Sequence, residues 1–342
     1  MEGGRRTSSN VTLSDVARLA GVSIATASKA LNGRDQVRAQ TRQRVLDAAE
    51  RLSFRPNPLA RGLLAGATGT VGLLTGDLEG RFSLPILMGA EDAFGAGELS
   101  VFLCDARGDT IRERHHVRAL LDRRVDGLIV VGSSTDPRPS LGRDLPVPVV
   151  YVYAPSEDPA DLSFVPDNVA AGRMAVEHLI ACGRTRIAHI AGDATYAATT
   201  DRIVGISAAL EEAGLEPAAA SHKGSWSESW GRAATAMLLD QGTELDALVC
   251  GNDQIARGAV ETLHERSRQV PDDVAVIGFD DWHVMTEGCR PKLSSLDMNL
   301  ERLGHSAATA LAQAIADGST LSGGVRAQTA RLVVRGSTVP LT

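Results

Sequence analysis

Eight short apolar runs recur along the chain after Gly69, and they constrain the fold more than any other feature of the sequence. The runs are TVGLLTG, LSVFLCDA, VDGLIVVGS, PVVYVYA, RIAHIAGD, a region that ends at Trp226, ALVCGND and VAVIGFDD. Amphipathic helical stretches separate them. Parallel sheets with both faces covered by helices require strands of this nearly continuous apolar kind. The pattern therefore predicts buried parallel strands in two groups of four, and hence two similar α/β lobes with doubly wound sheets.

Residues 11–56 carry helix signals instead of strand signals. Thr12 is placed to cap a first helix, and Asp15 completes an S/T-x-x-D/E capping box. Gly21 falls where a left-handed residue ends that helix, and Ser23 is placed to cap a second helix that runs to about Leu31. Two short helices joined by a glycine-centred turn predict a helix-turn-helix.

A third amphipathic helix is predicted from about Ala39 to Leu52. The residues expected to bury its core face are Val45, Leu46, Ala49 and Leu52, and those expected to do so on the first helix are Ala17, Leu19 and Ala20. Apolar spacing alone leaves open a three-helix packing module that does not bind DNA.

The charge of the chain is divided along its length. Residues 1–68 hold 11 Lys and Arg against 5 Asp and Glu, whereas the remainder holds 24 against 37. We call residues 1–68 the head and the remainder the body. A positively charged head is attracted to phosphate groups, and a negatively charged body is repelled by them. The charge and the small residues of the second helix favour DNA binding over simple packing.

Between residues 12 and 66 the chain resembles the lactose-repressor (LacI) family of bacterial regulators. The matching stretches are TLSDVARLAGVS, TASKALNG, TRQRVLDAAERLSFRPN and LARGLLAG. The resemblance implies an all-α helix-turn-helix head followed by a two-lobed, periplasmic-binding-protein-like α/β domain. It also implies a sequence-specific transcriptional regulator, a repressor of carbohydrate-utilisation genes, whose operator affinity is controlled allosterically by a small sugar-like effector.

By position, the resemblance places Ile24, Ala25 and Lys29 where the family's second helix reads base edges. Ile24 and Ala25 have no polar side-chain atoms, so they are expected to read thymine methyl groups or DNA shape, with Lys29 as the polar reader. Phosphate contacts suit several of the other residues. The full set of expected DNA contacts is Thr12, Ser23, Ile24, Ala25, Thr26, Ser28, Lys29, Asn32, Arg61 and Leu63.

Residues 57–66 resemble the family's hinge, which becomes helical on operator DNA. The resemblance implies that Leu63 enters the minor groove, where an apolar wedge partly unstacks a base step. Gly62 weakens such a helix by about 1 kcal/mol relative to Ala, which favours a hinge that is disordered away from DNA. A plain linker is the alternative.

Polar residues that follow the apolar runs are candidates for a ligand site, because ligands of doubly wound sheets bind beyond the carboxyl ends of the strands. By resemblance, effector contacts fall on Arg202, Trp226, Asn252 and Asp280, and Phe82 and Trp282 extend the apolar floor. Charged and amide groups with an indole face suit a polyol. The alternatives are Trp226 as core, Asp280 as a helix cap, and Arg202 paired with Asp201 or Asp280 for packing.

Two departures from the family pattern leave the ligand open. Tyr153 stands where many relatives carry an acidic contact, and GRFSLP replaces the family's Asn-Pro-Phe-Phe stretch. A nucleobase or a phosphorylated metabolite is therefore an alternative to a neutral sugar. Arg107 is the only obvious additional cation near a strand end.

The predicted organisation has four parts: an arm of residues 1–10, a DNA-binding domain of 11–56, a hinge of 57–68 and an effector domain of 69–342. Within the last, the N-lobe is expected at 69–167 and 297–322, and the C-lobe at 168–296 and 323–342. A homodimer on a pseudo-palindromic, double-stranded operator is expected, because no leucine heptads follow RLVVRGSTVPLT at the end of the sequence. Inducer and corepressor action both remain open.

Other classes of protein fit the sequence less well. An enzyme would need convergent groups, yet Asp280 and Asp281 are neighbours, His115 and His116 lack further ligands, and no GxxxxGK[ST] loop is present. No cofactor or metal is expected, and the four scattered cysteines are interpreted as buried free thiols. A periplasmic binding protein would have no use for the head. We expect a cytoplasmic protein without a membrane segment.

Overall fold

A computed structural model describes residues 11–31, 37–54, 68–78, 81–95 and 99–339. They fall into two compact units, one within residues 1–68 and one within residues 69–342. The predictions for the arm, for Asn32 and for the hinge residues Arg61, Gly62 and Leu63 lie outside the described residues.

The described residues of the first unit form three helices, α1 (Leu13–Ala20), α2 (Ile24–Leu31) and α3 (Ala39–Arg51). The predicted capping box is confirmed: the Thr12 backbone N–H donates to Asp15 over 3.0 Å, and the Asp15 N–H donates to the Thr12 hydroxyl over 3.4 Å. Gly21 ends α1 at a φ of 66°, and the Ser23 hydroxyl accepts a bond from the Thr26 N–H over 3.2 Å at the start of α2.

The core of this unit is built mainly from alanine and valine. Its buried members are Val16, Ala17, Ala20, Ala27, Ala30, Val45, Ala48 and Ala49. The prediction that Leu19 and Leu46 are buried is wrong, since they are 50% and 42% exposed. Both residues lie off the i, i+3, i+4 stripe that their helices turn inward.

The second unit holds two six-stranded sheets. The first contains β1 (Thr70–Thr75), β2 (Ser100–Asp105), β3 (Gly127–Val131), β4 (Val149–Val152), β5 (Leu162–Pro166) and β11 (Gly324–Gln328). Its order is β11-β5-β4-β3-β1-β2 with all neighbours parallel. The second contains β6 (Ile187–Ala191), β7 (His222–Lys223), β8 (Ala247–Cys250), β9 (Ala275–Phe279), β10 (Ser294–Asp297) and β12 (Arg331–Val333). Its order is β12-β10-β9-β8-β6-β7, and only β12 is antiparallel to its neighbour.

In the described part of this unit, eight further helices cover the sheets. They are α4 (Ser83–Phe94), α5 (Thr110–Asp122), α6 (Asn168–Ala181), α7 (Ala197–Glu212), α8 (Glu228–Asp240), α9 (Asp253–Glu265), α10 (His283–Gly288) and α11 (Leu300–Asp317). Successive strand residues alternate between two apolar clusters: Ile187 packs with α6 and α7, whereas Ala188 packs with α8 and α9. Both faces of the second sheet are therefore buried, as the apolar runs predicted. We call the unit of the first sheet with α4, α5 and α11 the N-lobe, and the other the C-lobe.

Several predicted details of the lobes are corrected by the pairing of the strands. Each sheet has six strands rather than four, because β5, β10, β11 and β12 were not anticipated. The strand β11 lies in the first sheet, so the chain returns to the C-lobe between residues 328 and 331 and not at 322–323. Trp226 does not end a strand, since β7 stops at Lys223. The strand β2 is an edge, with Phe102 44% and Leu103 38% exposed.

Three helix pairs cross through reciprocal glycines. At α4–α11, α6–α7 and α8–α9, each helix places one glycine against a backbone carbonyl oxygen of its partner, where an added Cβ would lie 1.8–2.4 Å from that oxygen. The six glycines are Gly89 with Gly304, Gly172 with Gly205, and Gly231 with Gly258. The three crossings are therefore in direct backbone contact.

The four cysteines are free, but only Cys250 and Cys289 are fully buried, and Cys104 and Cys182 are partly exposed. Among the described residues, no helix combines the length and apolarity needed to cross a bilayer.

Candidate functional site

A cavity of about 290 Å³ lies between the two lobes, beyond the carboxyl ends of the strands. Loops after β1 and β3, and after β6 and β8, line it; in each sheet these are the two neighbouring strands at which the strand order reverses. The lining residues are Arg81, Phe82, Ser133, Ser134, Thr135, Tyr153, Tyr196, Ala198, Arg202, Trp226, Asn252, Gln254, Asp280 and Trp282. All six residues predicted to contact effector are among them.

Arg202 is held rigidly on the C-lobe side of the cavity. It lies in the second turn of α7 rather than at its start, and only 4% of it is exposed. Its Nε donates to the Asn168 side-chain oxygen over 2.9 Å, and Nη1 donates to the Gly251 carbonyl. Its guanidinium lies 4.4 Å from the centre of the Phe279 ring. These partners fix the one remaining nitrogen, Nη2, at 3.7 Å from Asp280.

Asp280 connects the two lobes through its carboxylate. Oδ2 accepts a hydrogen bond from Arg81 of the N-lobe, and Oδ1 faces Arg202. The alternative that Asp280 caps α10 is wrong, because the N-cap is Trp282, which makes no side-chain cap bond. The neighbouring Asp281 turns to Arg335 at 2.7 Å, so the two carboxylates do not converge. Both residues lie in the loop beyond β9 with positive φ, so the backbone of this loop sets the directions of the two carboxylates.

Arg81 was not predicted as a site residue. Its guanidinium lies 4.9 Å from the ring centres of both Phe82 and Trp282, an arrangement that favours a cation. The expectation that Arg107 is the additional cation is wrong, because its side chain is 74% exposed beside Asp105 and does not line the cavity. The sequence did contain one indication of Arg81, because it lies in the GRFSLP stretch, which departs from the family pattern.

Aromatic side chains are concentrated at the cavity. Five of the chain's twelve aromatic residues line it, although aromatics make up only 4% of the sequence. Phe82 stacks on Tyr153 with ring centres 4.7 Å apart, and Tyr196 meets Trp226 edge to face at 5.9 Å. Burial raises the pKa of Tyr153, so this side chain stays neutral.

Trp226 serves both of the roles considered for it. It packs against the core cluster beneath α8 and α9, and it also lines the cavity. A Cβ added to Gly192 would lie 2.3 Å from its ring, so this glycine leaves the space that the indole occupies. The position of the ring is therefore set from behind by packing.

Two polar residues after β8 support the lining from within. Asn252 is almost fully buried, and its side-chain oxygen accepts a bond from the Ile255 N–H over 2.9 Å at the start of α9. Asp253 accepts bonds of 2.6 Å from the Trp282 N–H and from the Ser295 hydroxyl. Burial raises the pKa of Asp253 well above its usual range. Asp253 thus positions Trp282, a role that sequence reasoning missed.

The N-lobe contributes a short polar segment that also was not predicted. Ser133, Ser134 and Thr135 follow β3 directly, which is the signal that was available in the sequence. The Thr135 hydroxyl is buried and has no hydrogen-bond partner among the described residues. Tyr196, Ala198 and Gln254 complete the missed lining residues.

A second contact joins the lobes beside the cavity. The Ala197 N–H, at the start of α7, donates to Asp136 of the N-lobe over 2.7 Å. The Ser134 hydroxyl donates to the other oxygen of Asp136 over 2.6 Å. A carboxylate at a helix N-terminus is favoured by the helix dipole, so this contact and the Arg81–Asp280 pair both favour the arrangement of the lobes seen here.

In the first unit, α2 turns the expected DNA-contacting residues outward. Ser23, Ile24, Ala25 and Lys29 are exposed, whereas Ala27 and Ala30, on the opposite face, are buried. Thr12 is exposed at the start of α1, and Thr26 and Ser28 are half-buried. The exposed face of α2 therefore carries uncharged side chains and one lysine. Within the described part of the chain, no cluster of metal-ligating side chains occurs.

Comparison with known proteins agrees with this architecture. Residues 12–57 match the family described as bacterial regulatory proteins, lacI family, and residues 176–338 match the periplasmic binding protein-like domain. Catabolite control protein A of Priestia megaterium is 33% identical over 84% of this chain and 87% of its own length. The transcriptional repressor PurR of Aliivibrio salmonicida is 29% identical over 90% and 92%.

Solved structures give the same result. The lac repressor dimer bound to operator and the anti-inducer ONPF matches with a TM-score of 0.75 at 27% identity, covering 96% of this chain and 99% of its own. The complex of the regulator CelR with cellobiose matches with a TM-score of 0.64 at 30% identity and the same coverage. The predicted fold, a helix-turn-helix head with a two-lobed α/β domain, is confirmed. The chain belongs to the LacI family of bacterial regulatory proteins, and it is a transcriptional regulator rather than an enzyme.

Proposed function

We propose that this regulator represses carbohydrate-utilisation genes and that a small carbohydrate-like effector in the cavity controls its affinity for operator DNA. The observation that carries the proposal is the cavity itself, in which aromatic faces surround a buried carboxylate and two guanidiniums between two lobes. Indole and phenyl faces cover the C–H side of a sugar ring, while charged and amide groups pair with its hydroxyls. CelR, a related regulator, was solved with cellobiose.

The allosteric step follows from the position of the cavity. Both the ion pair of Arg81 with Asp280 and the contact of Asp136 with Ala197 cross from one lobe to the other. A ligand between the lobes competes with these contacts or adds to them, and so shifts the lobes toward one arrangement. Couplings of this kind are typically about 1–3 kcal/mol, or 5- to 150-fold in DNA affinity. Inducer and corepressor action differ in which arrangement the DNA-bound form prefers.

We further propose that the regulator acts as a homodimer on a two-fold operator. Exposed apolar side chains support this proposal: Leu84 and Met88 on α4 are 52% and 54% exposed, and Phe102 and Leu103 lie on the adjacent edge strand β2. A second copy covering this surface would bury it. The related lac repressor was solved as a dimer on operator. We propose that Ile24, Ala25 and Lys29 read the bases, as the resemblance to the family implies.

A nucleobase is the second candidate effector. The five aromatic side chains offer flat faces to a planar heterocycle, and the cavity volume of about 290 Å³ suits a ligand of that size as well as a monosaccharide. The Tyr196–Trp226 pair supports this ligand, since both rings line the cavity.

The proposal is tested by ligand screening with the full-length protein. Thermal shift is measured with monosaccharides, cellobiose and purine bases, and each ligand that binds is tested against Trp226→Ala. The control is Trp230→Phe, because Trp230 packs against the same core cluster as Trp226 but does not line the cavity. Sugars are expected to raise Tm, and Trp226→Ala is expected to abolish the shift. Stabilisation by purines alone would overturn the carbohydrate proposal and support the nucleobase.

DNA binding is tested by selecting operators from a random DNA pool and measuring affinity at several salt concentrations. We expect two-fold related sites, a negative salt slope, and a change in affinity when a binding ligand is added. The direction of that change identifies an inducer or a corepressor. Retention of specific DNA affinity after deletion of residues 1–68 would contradict the assignment of DNA binding to the head.

A further inference from the structure

We propose that the cavity selects a ligand carrying a negative charge, as a carboxylate or a phosphate ester, and that Arg81 is the residue that selects it. This inference rests on the proposed function, because it takes the cavity to be the effector site. It narrows the effector from a neutral sugar to an acidic or phosphorylated one.

The first argument is the charge of the lining. Two guanidiniums, Arg81 and Arg202, face one carboxylate, Asp280, and the described lining contains no other Asp, Glu, Lys or Arg side chain. Among the carboxyl groups that contact lining residues from outside, Asp253 accepts hydrogen bonds from the Trp282 N–H and the Ser295 hydroxyl, and Asp136 accepts them from the Ser134 hydroxyl and the Ala197 N–H. Burial shifts Asp253 toward its neutral form. Among the side chains that line the cavity themselves, two guanidiniums stand against one carboxylate, and a ligand with one negative charge would offset this difference.

The second argument is the set of hydrogen bonds that are not made. Arg81 Nε is buried and has no hydrogen-bond partner among the described residues, and the same holds for the Thr135 hydroxyl, in a residue that is only 8% exposed. Both residues line the same cavity, although these two atoms are not themselves accessible to solvent. Leaving a buried donor unpaired is unfavourable, so a ligand acceptor oxygen toward which either side chain turns recovers part of this free energy.

The third argument separates the two arginines. The Arg202 side chain is 5% exposed, whereas that of Arg81 is 20% exposed. Arg202 donates from Nε to Asn168 and from Nη1 to Gly251, and its Nη2 lies 3.7 Å from Asp280. Arg81 instead makes one strong bond, to Asp280, and one long contact of 3.4 Å to the Gln254 side chain. A planar guanidinium is suited to carboxylate and phosphate oxygens.

The rings that flank Arg81 also orient it. Phe82 belongs to the N-lobe and Trp282 to the C-lobe, and each ring centre lies 4.9 Å from the guanidinium carbon. The side chain is therefore held in place before a ligand arrives, which lowers the entropy lost on binding. Neutral hydroxyls also accept from an N–H, but a bond between charged groups is roughly twice as strong.

The test compares matched ligands that differ in charge. Isothermal titration of the full-length protein uses D-glucose, D-glucuronate and D-glucose 6-phosphate, then the same series built on galactose and fructose, with inorganic phosphate alone as a further arm. We expect the charged member of at least one series to bind about 10- to 100-fold more tightly than its neutral member. The uronate and phosphate arms distinguish the two sources of charge.

Variants then assign the preference to Arg81. We expect Arg81→Met to remove at least tenfold of the affinity for the charged ligand while neutral binding changes less, and Arg81→Lys to retain part of the preference. Arg107→Met, which removes an exposed arginine outside the cavity, is the matched control and is expected to leave all affinities unchanged.

Three outcomes would overturn the inference. Tighter binding of the neutral members would do so, and so would charged binding that survives Arg81→Met. An equal loss of affinity for neutral and charged ligands in Arg81→Met would show that Arg81 only joins the lobes. In each of these cases the proposed function stands, provided that Trp226→Ala abolishes sugar binding. If no ligand of any series bound, the result would count against both this inference and the proposed function.

Discussion

Replacing Asp280 with Asn tests the electrostatic arrangement of the cavity directly. The carboxylate lies between Arg81, whose side chain is 20% exposed, and Arg202, whose side chain is 5% exposed. Asparagine keeps the shape of the side chain and removes its charge. The substitution therefore leaves two guanidiniums facing one another in a site with little water, without the anion that now separates them.

The magnitude follows from the burial of the partners. Breaking a fully buried ion pair by removing one member costs about 3–5 kcal/mol. Solvent screening at Arg81 lowers that figure, so we expect Asp280→Asn to reduce the free energy of unfolding by about 2–4 kcal/mol. At about 2 °C per kcal/mol for a unit of this size, Tm falls by about 4–8 °C.

Scanning calorimetry and urea unfolding of the ligand-free protein measure the effect. The matched control is Asp240→Asn, since Asp240 pairs with Arg266 at the surface, where both side chains are about half exposed. This substitution is expected to change the free energy of unfolding much less, because solvent screens the pair. The double variant Asp280→Asn with Arg81→Met is expected to recover stability, because one uncompensated charge has been removed. If Asp280→Asn matched the control, or if the two changes added without coupling, the reasoning would be refuted.

Three further predictions concern the fold. Burial and the nearby Arg202 lower the pKa of His189 to about 3, so the unfolded chain takes up a proton below pH 6.5 that the folded chain does not. The free energy of unfolding should therefore fall by up to about 1.4 kcal/mol per pH unit as the pH drops from 6.5. His189→Asn should reduce this pH dependence, as measured by urea unfolding at several pH values. Gly205→Ala places a methyl group 1.9 Å from a backbone oxygen and should cost about 1–3 kcal/mol or more by calorimetry, whereas Gly288→Ala, which meets open space, should be neutral or slightly stabilising. Thr12→Ala removes the capping box and should destabilise the first unit by about 0.5–2 kcal/mol. The measurement is backbone hydrogen exchange in α1, which should become faster. Equal exchange rates in Thr12→Ala and in the exposed control Ser14→Ala would contradict this prediction.

Sequence reasoning succeeded where short-range rules decide the structure. The capping box of Thr12 with Asp15 and the left-handed Gly21 each depend on residues within one turn of helix, so spacing alone predicted them. Asn252 and Asp280 were found because parallel strands end at one edge of a sheet, which brings their following residues together whatever their separation in sequence.

Sequence reasoning failed where the structure depends on residues that are distant in the sequence. Arg81 looks like any loop arginine until Asp280, 199 residues later, is placed beside it. The strand β11 reads GVRAQ and has no apolar run, because an edge strand is stabilised mainly by its hydrogen bonds to β5. Without that pairing, the return of the chain to the C-lobe was placed too early.

The glycine crossings determine how the effector domain can move. A helix that touches the backbone of its partner cannot slide or roll without a collision, so each lobe responds to force as a rigid body. Motion is then confined to the three connections between the lobes, near residues 166–168, 297–300 and 328–331. These few residues act as one hinge, and substitutions there are expected to change the energetic coupling between ligand and DNA together with the ligand affinity of the cavity, because both lobes form the cavity.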